Sequence, residues 1–358
     1  MSKQQPEIKP VKIGNRFVGP GHPVYIVAEL SANHRQDFNE AVRLIHAAKD
    51  AGADAVKLQT YTPDTMTIDC DDDNFRHGHG SLWEGKTLYE LYKEACMPWE
   101  WQPRLQAVAH DIGLDLFSSA YEETSVDFLD GMDVPAIKIS SFEIIDLPLI
   151  QYAAATNRPL IISTGMATLA EISDAVDASR QAGCREMVLL KCTSTYPAPM
   201  EEMNLSTIPA MARTFNLPCG LSDHAEDELA ALVAVAMGAC LLEKHFTLSR
   251  ANNSVDSGFS IEPPEFKAMV ASVRRVERMM GKEFPGPTLS ETESISFRRS
   301  LYASTDINRG EIIARNQVRS IRPHGGLKPE CLEKIVGMKA KKKIHRGQPI
   351  TWEAIETD

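Results

Sequence analysis

The stretch PCGLSDHAEDELAALVAVAMGACLLEKHFT (218–247) decides the reading of this chain. Two short apolar runs, PCGLSDH (218–224) and LLEKHFT (241–247), flank a helical stretch, and each run finishes on polar residues. Toward the N-terminus the same unit recurs at VYIVAEL (24–30), AVKLQT (55–60), LDLFSSA (114–120), AIKISS (136–141), PLIISTG (159–165) and MVLLKCTS (187–194). Between the runs lie segments such as FNEAVRLIHAAKDAGA and LAEISDAVDASRQAGC, whose apolar positions recur at i, i+3 and i+4. Most close near a Gly suited to a helix C-cap. Eight such strand–helix units over roughly 250 residues predict an α/β fold, a (β/α)8 TIM barrel. The structural alternative, a doubly wound sheet, wants a Gly-rich phosphate turn after the first strand, and none is present.

A helix predicted over 263–281 ends in Met279-Met280-Gly281, and EFPGPTLSETES (283–294) follows with the composition of a linker. The barrel domain is accordingly placed at 1–284, the linker at 285–296 and a second domain at 297–358. That domain carries a pseudo-repeat, Ile307-Asn308-Arg309-Gly310-Glu311-Ile312-Ile313 and Ile344-His345-Arg346-Gly347-Gln348-Pro349-Ile350. Two matching I-x-R-G turns predict a small pseudo-symmetric β-rich module.

The 358 residues, 43% of them hydrophobic, suffice for one large core and a small one. Lys+Arg 38 against Asp+Glu 49 gives 38 − 49 = −11, and the one basic cluster, Lys339 to Lys343, is interrupted by Ala340. This balance argues against nucleic acid as a partner. The opening MSKQQPEIKP is polar, and no later stretch approaches the ~18 apolar residues of a membrane span, so the expectation is no membrane and a cytoplasmic location. Seven cysteines without close pairs fit reduced thiols.

In such a barrel the reactive side chains come from the C-terminal ends of the strands. Nearly every run ends in polar residues: Glu29; Lys57 and Gln59; Ser118 and Ser119; Lys138, Ser141 and Glu143; Ser163 and Thr164; Thr193, Ser194 and Tyr196; Ser222, Asp223 and His224; Lys244 and His245. Lysines and hydroxyls converging on one mouth suit a phosphate or carboxylate, with Lys57 and Lys138 as point charges. His224 and His245 end consecutive strands, which lie ~4.8 Å apart in a parallel sheet, within reach of one ion. Two nitrogen ligands leave the rest of the shell to water or substrate oxygen, pointing to a divalent metal such as Mn2+, Mg2+ or Co2+. Glu29, Glu143, Asp223 and Asp256 are the carboxylates available for proton transfer or sugar hydroxyls. The acidic run DCDDDNFRHGHG (69–80) reads as a solvated loop or lid.

The motifs AELSANH (28–34), KLQT (57–60), IKISSFE (137–143), ISTGMA (162–167), CTSTYP (192–197), GLSDH (220–224) and EKHFT (243–247), followed by the I-x-R-G module, together resemble the sialic acid synthase family. That family joins a barrel to a C-terminal antifreeze-like (SAF) domain. SLWEGKTLYELYKEACMPWEW (81–101) is most similar to its pseudaminate-making branch, which condenses phosphoenolpyruvate with a 2,4-diacetamido-2,4,6-trideoxy-altrose and releases phosphate. The resemblance implies that Ser119, Lys138, Ser141, Ser163 and Ser222 hold phosphoenolpyruvate and that His224 and His245 hold the metal. Glu29, Lys57 and Glu143 are then the catalytic candidates, with Gln59, Tyr196 and Asp256 around an N-acylated amino sugar. Ser194 stands where neuraminate synthases carry Asn, and Ser119 where they carry Thr; both keep a hydrogen-bonding group. Arg322 matches an arginine that family members place in a partner's site, implying a domain-swapped homodimer. The alternatives are a neuraminate or legionaminate synthase acting on another N-acylated sugar, or a non-catalytic sugar-binding or polysaccharide scaffold protein.

Overall fold

Each of the eight apolar runs is a strand in the structure, a computed structural model that describes residues 7–76, 83 and 85–356. A short hairpin that the sequence reading does not separate, β1 (Val11–Ile13) with β2 (Arg16–Val18), comes first. Then β3 (Tyr25–Glu29), β4 (Ala55–Thr60), β5 (Asp115–Ala120), β6 (Ile137–Ile139), β7 (Leu160–Ser163), β8 (Met187–Cys192), β9 (Cys219–Asp223) and β10 (Leu241–His245) form a closed barrel. All pairings are parallel and follow chain order, and β10 pairs back to β3 with His245 opposite Glu29. The His-bearing end of the acidic run, His77 to Gly80, lies outside the described residues, as do Ser81, Leu82 and Glu84 of the branch motif.

The local reasons are ordinary ones. Strands covered by helices on one side and filled by side chains on the other are apolar nearly throughout, and β3, β6, β7, β9 and β10 are buried at every position. The helix Phe38–Asp50 starts where the Asp37 carboxylate accepts from the Asn39 and Glu40 amides, and its Ala41, Leu44, Ile45 and Ala48 form one buried stripe. Burying Leu44 and Ile45 is worth about 1.5–3 kcal/mol each. At the N-terminal end of the barrel, Asp54 accepts from Arg16, Arg274 and the Ile26 amide, while Tyr25 Oη donates to Asp115 at 2.7 Å. This network fastens the hairpin and the last helix of the barrel unit, Pro263–Met280, to the N-terminal end of the barrel, leaving the opposite end for chemistry.

The chain divides into two compact units after Gly281. In the second unit β11 (Ser300–Ala303) pairs antiparallel with β12 (Val318–Ile321), and single bridges supply the remaining β pairing. The two I-x-R-G turns face each other: Ile307 and Ile344 exchange backbone hydrogen bonds at 2.8 and 2.9 Å. Gly310 and Gly347 both hold φ near +80° (78° and 83°), a region open to glycine without cost. Leu301, Ile307, Ile313, Val318, Ile335, Ile344 and Ile350 form this unit's own core. All seven cysteines are free. Among the described residues no helix is long and apolar enough to cross a membrane.

Candidate active site

A cavity of about 560 Å³ opens at the C-terminal ends of the barrel strands, within the range of small-molecule sites. It is lined by Glu29, Lys57, Gln59, Lys138, Ser141, Glu143, Ser163, Tyr196, Ser222, His224, His245 and Asp256, twelve of the residues singled out in the sequence. Strand alternation decides who enters. Asp223 and Lys244 point the other way and pair with each other at 2.8 Å, both fully buried, so Asp223 is not available for the proton transfer suggested for it. Ser118 likewise turns outward, to Thr60 at 2.6 Å. The same alternation brings in Glu243, two residues before His245, which the sequence reading passes over although its parity with the histidine gives it away.

The floor is a network of opposed charges. Lys57 Nζ lies 2.7 Å from Glu29 Oε2, 3.6 Å from Glu243 Oε1 and 3.0 Å from Ser119 Oγ. Burial opposes the charge on Lys57, but Glu243 and Glu29 outweigh it and hold its pKa above the ordinary value. Burial pushes the Glu29 carboxyl upward, while the ion pair with Lys57 and the hydrogen bonds donated by Gln59 and Ser31 favour its carboxylate form. Glu243 and Glu29 therefore compensate much of the lysine charge that sequence alone leaves exposed. Lys138 is the exception: it is 3.9 Å from Glu243 Oε1, and burial, with Lys57 nearby, lowers its pKa. An incoming anion would raise it again.

Beside Lys138 is a hydroxyl cradle. The Gly165 amide donates to Ser141 Oγ at 3.1 Å, and a Cβ at this glycine would stand 2.1 Å from Ser194 Oγ and 2.7 Å from Ser141 Oγ. Only glycine allows so close an approach. Ser163 Oγ, buried, has no hydrogen-bond partner among the described residues, and Ser222 Oγ donates to Glu243 at 3.2 Å. Ser119 and Ser194 stand behind the lining rather than in it, Ser119 accepting from Lys57 and Ser140, Ser194 3.5 Å from Cys192 Sγ.

The His224 and His245 rings lie 5.3 Å apart between centroids, with Tyr196 packed on His224 at 4.3 Å and Phe259 against His245 at 4.9 Å. His224 Nδ1 sits 2.9 Å from the Thr193 carbonyl, which only accepts, so Nδ1 carries the proton and Nε2 is left as a donor atom for a cation. His245 Nδ1 is engaged with Ser31 Oγ at 3.0 Å. Burial, followed by the charge of His224 and of the lysines, holds the His245 pKa well below its ordinary value, keeping the ring neutral. For His224 burial is outweighed by the Cys192 thiol 3.8 Å away, and its pKa rises; the thiol itself, raised by burial but lowered more by His224, comes to about 6. A cation at Nε2 would take the place of the His224 proton. Two imidazoles with fixed Nδ1 partners fit a divalent metal; among the described residues no group of three or more His, Cys, Asp or Glu surrounds one point, so further ligands would be water and substrate oxygen.

Glu143 and Asp256 border the wider part of the cavity, burial raising the first to about 7 and the second to about 6. The same cavity has an apolar lining that the sequence reading does not identify: Tyr61, Leu91, Tyr92, Phe142, Val255 and Phe259, with Tyr61 edge-on to Tyr92 and Tyr121. These residues come from separate loops and from the helix Leu88–Ala95, and no local pattern unites them. Arg322 belongs to the second unit, where it is exposed and precedes a cis proline, Pro323.

The chain is similar to known proteins over most of its length. Pseudaminic acid synthase of Helicobacter pylori is 40% identical over 336 residues, covering 93% of this chain and 98% of that protein. Pseudaminic acid synthase of Campylobacter jejuni is 42% identical over 327 residues, covering 91% and 95%. The crystal structure of N-acetylneuraminic acid synthetase from Leptospira borgpetersenii, in complex with citrate, superposes with a TM-score of 0.73 at 30% identity, covering 81% of this chain and 96% of that one. The NeuB family pattern matches residues 44–284 and the SAF domain pattern residues 298–356, so the chain belongs to the NeuB family and carries a SAF domain after its barrel.

Proposed function

We propose that this protein condenses phosphoenolpyruvate with 2,4-diacetamido-2,4,6-trideoxy-β-L-altropyranose to give pseudaminic acid and phosphate. The observation that carries this reading is one cavity lined both by a lysine-and-hydroxyl cradle and by apolar and aromatic side chains, in a chain that matches two pseudaminic acid synthases over more than nine-tenths of its length. The cradle of Lys138, Ser141, Ser163 and Ser222 holds the carboxylate and phosphate of phosphoenolpyruvate. The aromatic wall takes the acetamido methyls and the deoxygenated terminal carbon, groups that gain by leaving water. Gln59, Tyr196 and Asp256 hold the sugar's polar atoms.

His224 and His245 hold a divalent metal, Mn2+, Mg2+ or Co2+, which when bound supplies Lewis-acid polarisation of the sugar aldehyde. On the ring-opened sugar, carbon 3 of phosphoenolpyruvate bonds to the aldehyde carbon while the carbonyl π bond breaks toward oxygen, and that oxygen takes the proton of Glu143 and becomes a hydroxyl. Water adds at carbon 2 and gives a proton to Glu29, positioned by Lys57 and Ser31. The bond from carbon 2 to the bridging oxygen then breaks, phosphate leaves with that oxygen, and a keto acid remains. Glu143 borders the sugar side as the second acid–base group, and Arg322 of one chain completes the site of another within a homodimer.

Phosphate release, measured with phosphoenolpyruvate against a panel of acetamido sugars, tests the reading. The diacetamido-trideoxy-altrose is expected to give the highest kcat/KM, chelation to abolish turnover and Mn2+ to restore it. Release with N-acetylmannosamine or a legionaminate precursor in preference would transfer the protein to another branch; binding without release from any sugar would make it a non-catalytic module.

A further inference from the structure

Ser31 is the buried exception among the described non-glycine residues at positive φ. The others, Arg35, Gln36, Asp133, Asn157, Met166, Asn204, Asn216 and Asn253, are exposed or half-buried, and five of the nine are Asn or Asp, which tolerate the region. Ser31 holds φ at +42° while 3% exposed. A side chain kept where glycine would be unstrained marks a position at which the side chain itself is needed.

Its hydroxyl is saturated by catalytic candidates. Ser31 Oγ donates to Glu29 Oε1 at 2.7 Å, a bond that uses its single proton. It therefore accepts from Gln59 Nε2 at 3.2 Å and from His245 Nδ1 at 3.0 Å. His245 must carry its proton on Nδ1, leaving Nε2 unprotonated. The left-handed turn also sends the next amide, Ala32 N–H, to Asp256 Oδ2 at 3.1 Å. One strained residue thus ties β3 to β10 at the level where Glu29 and His245 are register partners.

We propose that Ser31 is the positioning residue of this site: its hydroxyl selects the metal-binding tautomer of His245 and links that ligand to the Glu29 carboxylate. The proposal rests on reading His245 as a metal ligand. Losing such an outer partner weakens metal affinity or activity by about 10–100-fold.

The test is Mn2+ titration of metal-stripped full-length protein, followed by the EPR signal of free Mn2+, for the wild type, Ser31→Ala, Ser31→Gly and His245→Ala. Ser31→Ala and Ser31→Gly both lack the hydroxyl but differ in the Cβ that the left-handed turn resents. Both are expected to bind Mn2+ about 10–100-fold more weakly and to lose kcat alike. Ser31→Gly is nevertheless expected to melt about 2–4 °C above Ser31→Ala. Wild-type Mn2+ affinity in Ser31→Gly would overturn the proposal, since the serine would then be a turn residue only. Unchanged Mn2+ affinity in His245→Ala would instead overturn the metal site on which it rests.

Discussion

Glu143 follows β6 in the lining of the cavity, with Oε2 buried and without a hydrogen-bond partner among the described residues. Burial raises its pKa from an ordinary 4.5 to about 7, against the pull of Lys138. The fold therefore keeps this carboxyl protonated across a range in which the unfolded chain ionises. Its contribution to stability is complete below pH about 4.5 and is lost as the pH climbs through about 7. A shift of that size corresponds to at most about 3 kcal/mol. Glu143→Gln is expected to raise the unfolding free energy from urea titration at pH 8 by an amount approaching that figure, with a matching rise in the midpoint, and to leave both unchanged at pH 4. Equal midpoint changes at the two pH values would show that the carboxyl does not titrate in this way.

At the scale of elements, the pairing of β9 with β10 aligns the two histidines. Lys244 Nζ donates to Asp223 Oδ2 at 2.8 Å and to the Ala225 carbonyl at 2.6 Å, gripping the residues on either side of His224 from the position just before His245. Both partners are buried, so removing one strands the other's charge or polar group in the interior. Lys244→Met is expected to lower the unfolding free energy by about 3–5 kcal/mol, and Asp223→Leu combined with Lys244→Met to recover most of the loss. Denaturant titration of the single and double variants distinguishes this from a surface ion pair, for which the single change would cost about 0–1 kcal/mol.

For the whole molecule, the proposed contribution of Arg322 to a second chain's site predicts complementation. Arg322→Ala and His224→Ala chains, each inactive alone, are expected to regain about a quarter of wild-type activity when unfolded and refolded together, because half the dimers are mixed and each mixed dimer has one intact site. No recovery would place Arg322 outside the partner's site. The barrel itself was legible from the sequence because each strand is a short apolar run, each helix a 3.6-residue stripe, and parallel order in a closed barrel repeats chain order. For the same reason His224 and His245 were legible as neighbours. Parity with His224 and His245 already turns Asp223 and Lys244 away and admits Glu243; tertiary structure alone decided which strand-end hydroxyls reach the cavity, keeping Ser119 and Ser194 behind its lining. It also decided how far Glu29 and Glu243 neutralise the lysines, which loops join in the apolar wall, and that Ser31 adopts a left-handed turn. Local periodicity fixes what a segment becomes, whereas reach into the cavity, charge pairing and strain arise only when barrel closure brings distant strands and loops within a few ångströms of one another.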